Sequence, residues 1–280
     1  MSLCEAPLLD SFTKSPVELW SAYVLGSLGV WGWGLGVESL LRNKVKSYNV
    51  LHAFVEGTVV SSFGMLFLSV LGFWKVAWPL TLTGCCVGIF SLFIHWRRDS
   101  HRMGKGLLLN EFAGSKLWEW VLLFILVFTA AIQLIASPVP IGDTTAIWGF
   151  HAKVLTCFPL FKSSFVLEKI WAGTHPEYPL YLSYMHALFF SLADSFRDDW
   201  VKIWQAVFLI CGVLIGYFEI KRHLRRLAAF TAVTALMAVV GGTGGPAELC
   251  SRLFVWLICI SFFESRPLEA TVLFAGFLIY

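Results

Sequence analysis

The chain has 280 residues, of which 58% are hydrophobic and 14% charged, with a mean hydropathy of +0.73 and a formal net charge of +3. Soluble globular domains carry roughly 45–50% apolar and about 25% charged residues, so a water-soluble domain is excluded. The weak positive charge offers no basic field, which argues against a nucleic-acid partner. The composition predicts an all-α, polytopic membrane helical bundle with a lipid bilayer as its surroundings.

The first residues carry Glu5 and Asp10 and no basic stretch ahead of an apolar run, so no removable signal peptide is expected. A first span is predicted at about 17–40, ending at Arg42, Lys44 and Lys46. A second is expected at 50–73 and a third at 77–95, the latter followed by Arg97, Arg98, His101, Arg102 and Lys105. A fourth runs over 116–136 and stops at Pro138-Val139-Pro140. Positive charge concentrates in cytoplasmic loops, which places both basic loops inside and the segment after Ser137 outside.

Residues 137–176 are too polar to span and too aromatic for a linker, and fit amphipathic helices lying in the interface. Residues 180–193 are apolar but short. If they crossed, Lys221, Arg222, His223, Arg225 and Arg226 would fall outside, so this stretch is expected on the outer face. Further spans follow at 200–220 (running inward), 227–241, 249–263 and from 268, the last stopping at Tyr280 before a full crossing. The organisation is therefore read as N-terminal transmembrane helices (1–136), an extracytoplasmic loop with juxtamembrane helices (137–199), and further transmembrane helices (200–280) of an incomplete bundle. The chain reads as the front part of a longer protein.

The remaining polar residues have plain readings. Glu38 and Arg42 serve as topology signals, and His52 and Glu56 as headgroup-level residues near the inner end of the second span. Trp31 and Trp33 read as belt or packing residues, and His186 as interfacial packing. On this reading the spans hold few internal ionisable residues. Of the seven cysteines, Cys157 and Cys250 alone fall near the outer face, where a disulfide between them is compatible with the topology. No Cys/His spacing fits a zinc site.

Two outer stretches carry the chemistry: Asp143 to Lys153, which includes Trp148 and His151, and His175-Pro176-Glu177-Tyr178-Pro179-Leu180. A carboxylate at the outer interface suits general-base work on an acceptor. It equally suits a helix cap after Pro140-Ile141-Gly142. Cations at that level suit a lipid-linked phosphate or a snorkelling role, and Trp and Tyr suit a sugar face or the headgroup layer.

The first stretch resembles the D-A-x-x-I-W-x-x-K-A-K pattern of bacterial GT-C membrane glycosyltransferases. These are relatives of the protein O-mannosyltransferases and of the aminoarabinose transferases that modify lipid A. The second resembles their HPDYPLL motif, and the likeness extends over most of the chain. It implies the GT-C helical bundle, a polyprenyl-phosphate-linked sugar donor, and a glycan, lipid or protein acceptor. Asp143 matches the acid that activates the acceptor, and Lys153 the second lysine of the pattern. His175, Glu177 and Tyr178 fall on the motif beside the donor. Lys202 matches a cation facing the lipid phosphate, and Glu248 a second acid. Thr144, His151, Glu177 and Glu248 stand where the family has Ala, Lys, Asp and Asp. The resemblance fixes no cofactor, and Asp143, Glu248 and phosphate oxygens are hard ligands that would accept a divalent cation. Two other readings stand beside the transferase. One is a transporter or channel-like protein, and the other an inactive truncated fragment that binds lipid.

Overall fold

The structure is a computed structural model that describes residues 15–41, 50–73, 76–99, 116–136, 149–157, 181–196, 198–223, 255–259 and 271–274. Seven helices organise it: α1 (Pro16–Leu41), α2 (Val50–Val70), α3 (Ala77–Asp99), α4 (Leu117–Ala136), α5 (Phe150–Cys157), α6 (Tyr181–Ala193) and α7 (Asp198–His223). Every regular element among the described residues is helical. Three helical stretches are long and apolar enough to cross a membrane: Val50–Val70, Ala77–Ile94 and Ile203–Lys221. The expected spans at 50–73, 77–95 and 200–220 fall on these three stretches, and those at 17–40 and 116–136 fall on α1 and α4. Of the later expected spans, the helical pieces at 255–259 and 271–274 are described.

Local chemistry sets several helix ends. Ser15 and Glu18 form a capping box, with the Ser15 amide donating to Glu18 Oε2 at 3.0 Å and the Glu18 amide donating to Ser15 Oγ at 3.3 Å. Pro16 follows at the first helical position, where its missing N–H costs nothing. α2 closes in a Schellman turn. The Phe73 amide donates to Leu68 O, and Gly72 takes a φ of 85°, which glycine adopts without steric penalty. α6 ends the same way, through Ser195 N donating to Phe190 O, but with Asp194 in the left-handed position at φ 48°.

α1 is the hub, and glycine lets its neighbours approach it closely. Gly29 meets Thr81 and Gly84, and Gly32 meets Gly84 and Gly88, so α1 and α3 run parallel. Gly34 lies against the carbonyl of Ala53, and Gly57 against that of Val30, so α2 runs antiparallel to α1. In lipid no hydrophobic force separates protein from solvent, and close backbone approach gains the packing energy that joins helices. Trp31 and Trp33 tie the same contacts. Their indole N–H groups donate to Val50 O at 3.2 Å and Leu80 O at 3.0 Å, a more specific role than a belt.

The pairings sort the helix ends. His52, at the start of α2, faces Glu219, near the end of α7, at 3.7 Å. Glu119, at the start of α4, meets Lys221, at the end of α7, at 2.7 Å. The C-termini of α1, α3 and α7 and the N-termini of α2 and α4 thus share one end of the bundle. That end adjoins the basic loops of Arg42 to Lys46 and of Arg97 to Lys116 and the basic run from Lys221, and is the basic end below. The start of α7 lies at the far end.

α6 is enclosed by its neighbours. All its residues but Ser191 are buried, so it lies inside the bundle and not along its surface. It packs against α1, α2, α3, α5 and α7. Phe189 stacks on Tyr23 of α1 at 4.8 Å, and the Tyr181 hydroxyl donates to Thr58 of α2. Thirteen residues give a rod of about 20 Å, short of the roughly 30 Å hydrocarbon layer. An all-round apolar helix of this length is stable when other helices wrap it.

Candidate functional site

Asp143, Trp148, His175, Glu177, Tyr178 and Glu248 lie outside the described residues. His151, Lys153 and the backbone of Lys202 lie within them. His151 and Lys153 stand on α5, which packs on α6. His151 is fully buried. Lys153 is half-buried.

Lys153 reaches the neighbourhood of His186 on α6. Burial, with the Lys153 ammonium as a second cause, pushes the His186 imidazole down to about 3, so the ring is neutral. His186 is itself buried and lies 3.0 Å, Nε2 to Nε2, from the Gln205 amide on α7. Its ring meets Trp204 edge-on at 5.8 Å, and Trp204 also contacts Tyr181 and Phe208. Lys202 lies one helical turn before Gln205. The fold therefore gathers α5 with Lys153, α6 with His186 and the α7 turn that contains Lys202 at the far end of the bundle. Trp204 and Gln205 are the residues here that sequence reading missed, and His186 was read as a packing residue only. An isolated His or Gln in an apolar run gives no sign of the helix it will face.

Cys157, the last residue of α5, is disulfide-bonded. Its partner lies outside the described residues, while Cys85, Cys86, Cys211 and Cys259 are free. A disulfide at the far end is what the topology read from the sequence makes room for.

The basic end carries a second polar group. Glu38, His52, Glu56, Glu119 and Glu219 are all buried among the helices. Glu38, His52 and Glu56 are thus held between helices at the end where the sequence reading put them. The expectation that the spans hold few internal ionisable residues does not hold. Hydropathy windows average over a helix and cannot tell which face turns inward. No group of three metal-ligating side chains with metal-holding geometry occurs among the described residues.

Three long apolar helices inside an all-helical bundle define the class: a multi-pass membrane protein. Comparison with protein-family models, with curated proteins and with solved structures finds no match to this chain.

Proposed function

We propose that the chain acts as a membrane glycosyltransferase that moves a sugar from a polyprenyl-phosphate carrier to an acceptor on the extracytoplasmic face. The observation that carries this reading is the motif pair Asp143–Lys153 and His175–Leu180, which resembles GT-C glycosyltransferases. The geometry of the far end supports it, because Lys153 and the turn with Lys202 are two cations held at one end of the bundle. Sidedness follows from two independent signals. Basic loops favour the cytoplasm, and a disulfide persists on the oxidising side. The basic end is then inside, and Cys157 with Lys153 outside.

In this mechanism Asp143 takes the acceptor proton as the acceptor oxygen attacks the anomeric carbon. The carbon–oxygen bond to the phosphate breaks, and Lys153 and Lys202 stabilise the polyprenyl phosphate that leaves. His175, Glu177, Tyr178, Trp148, His151 and Glu248 belong to donor or acceptor binding in this reading.

The test is binding and turnover of a radiolabelled polyprenyl-phosphate hexose by the full chain in lipid nanodiscs. Asp143→Asn is expected to bind the donor as the wild type does and to lose release of labelled sugar to acceptor or water. The amide keeps the shape of the carboxylate but accepts no proton. Full turnover by this variant rejects Asp143 as the base.

The buried ionisable residues at the basic end favour one other reading, a transporter of polar solutes or protons. Charged groups inside a membrane bundle commonly mark such paths. Proton or solute flux into sealed liposomes containing the protein separates the two, and the transferase reading predicts none.

A further inference from the structure

Three neighbouring side chains where α6 meets α7 each keep a polar atom without a hydrogen-bond partner in the protein: His186 Nδ1, Gln205 Oε1 and Trp204 Nε1. All three residues are deeply buried, with relative exposures of 3%, 1% and 0%. Buried polar atoms almost always find partners, and each orphan costs free energy that an apolar residue of equal size would avoid. Three orphans in one contact therefore point to a ligand rather than to packing. The Tyr181 hydroxyl, a few residues away on α6, is satisfied by Thr58.

The pairing sets what the group can bind. The Gln205 amide nitrogen donates to His186 Nε2, so the neutral ring carries its proton on Nδ1. Two donors, His186 Nδ1–H and Trp204 Nε1–H, then stand beside one acceptor, Gln205 Oε1. A phosphate accepts only and leaves Gln205 Oε1 unsatisfied. An ammonium donates only and leaves both N–H groups unsatisfied. A hydroxyl does both. The surroundings add aromatic faces, with Trp204 edge-on to Tyr181 at 6.3 Å and to Phe208 at 6.3 Å. Aromatic walls with a few convergent polar groups are the usual lining of a small-molecule site.

We propose that His186, Gln205 and Trp204 form the subsite that recognises the sugar hydroxyls of the lipid-linked donor, beside Lys153, which faces its phosphate. The proposal rests on the transferase reading and adds to it the part of the donor that is read here. Lys153 supplies the charge, and the neutral trio supplies the discrimination. A site built to hydrogen-bond a hydroxyl rejects a ligand lacking it, because its buried groups are then left unpaired. The three atoms are enclosed in this conformation, so sugar binding requires the α6–α7 contact to open.

The experiment compares two lipids, polyprenyl phosphate and polyprenyl-phosphate hexose, binding to the full chain in nanodiscs. The wild type is expected to prefer the sugar-bearing lipid by about tenfold or more. Gln205→Leu and His186→Phe are expected to erase that preference while leaving the sugar-free lipid within about twofold of wild type. On unmodified protein, a series of monodeoxy sugar lipids should contain at least one that binds about tenfold more weakly, a readout that no folding defect can imitate. Equal binding of both lipids by the wild type overturns the inference and leaves the transferase reading standing. So does equal weakening of both lipids in the variants, or variants that keep the preference, which is the result expected if the trio holds only a structural water. A wild type that binds neither lipid overturns the transferase reading and the inference with it.

Discussion

Glu119 and Lys221, 102 positions apart in the chain, meet at 2.7 Å at the basic end of the bundle, with the Tyr217 hydroxyl 2.8 Å from the same carboxylate oxygen. Glu119 uses its other oxygen to cap its own helix, accepting from the Lys116 amide at 3.1 Å. One buried carboxylate thus begins α4 and fastens it to α7. The large apolar residues on the rest of α4, such as Phe124, Ile125 and Phe128, are exposed, as lipid-facing positions should be.

Removing one member of this pair strands the other. Lys221→Met is expected to destabilise the folded protein by about 3–5 kcal/mol, because Glu119 loses its counter-charge inside the bundle. The double variant Glu119→Leu with Lys221→Met should lose less than the single, since no buried charge remains. Thermal unfolding in detergent measures both. Equal losses in the single and double variants would show that the pair does not join α4 to α7.

Close helix contacts at glycine predict a second, sharper loss. Gly34→Ala places a methyl on the Ala53 carbonyl, and Gly32→Ala places one on the Gly84 carbonyl. Backbone cannot move aside as a side chain does, so each is expected to cost at least about 1–3 kcal/mol and to loosen α1 from α2 or α3. Gly72→Ala meets no atoms and is strained only by its φ of 85°, so its cost should stay near about 1 kcal/mol. Retention of detergent-solubilised, monodisperse protein on gel filtration ranks the three.

Sidedness follows from the shared helix ends. A single cysteine at Ser163, in the segment after α5, should react with an impermeant maleimide on intact cells. One at Asn110, between α3 and α4, should react only after permeabilisation. Labelling of both from the same side contradicts the topology and removes the proposed site from the outer face.

The disulfide predicts a redox response from the same face. Alkylation of the denatured, unreduced chain should leave Cys157 unmodified while Cys85, Cys86, Cys211 and Cys259 react. Reduction should lower stability by about 2–5 kcal/mol, and Cys250 is a partner that the sequence-based topology permits. Mass spectrometry of the digested, unreduced protein reads the linkage directly.

If Lys153 and Lys202 face one phosphate, their losses should overlap. Lys153→Met and Lys202→Met are each expected to weaken polyprenyl-phosphate binding by about tenfold, and the double variant by less than the product. Full additivity in a binding titration would place them on separate ligands.

Sequence alone determined where the long helices lie. Five expected spans, from 17–40 to 200–220, match α1, α2, α3, α4 and α7, because apolar runs bounded by charge and by Gly or Pro are local features. The same local chemistry marks the Ser15–Glu18 cap and the Gly72 turn. The alternating directions of α1, α2 and α3 follow from the same reading, since three successive spans joined by short loops must alternate. Tertiary structure alone decided which faces meet. Nothing near His186 in the chain announces Gln205, and nothing near Glu119 announces Lys221. The apolar run 181–193 reads alike for a helix on the surface of the bundle and for one inside it. Only the enclosure by α1, α2, α3 and α7 settles the matter, because burial is a property of the neighbours and hydropathy is a property of the segment. Of the candidate site, Asp143, Trp148, His175, Glu177, Tyr178 and Glu248 were legible as motif residues. His186, Trp204 and Gln205 became visible only when α6 and α7 were brought together, since the free energy of an unpaired polar atom depends on the packing that removes it from water.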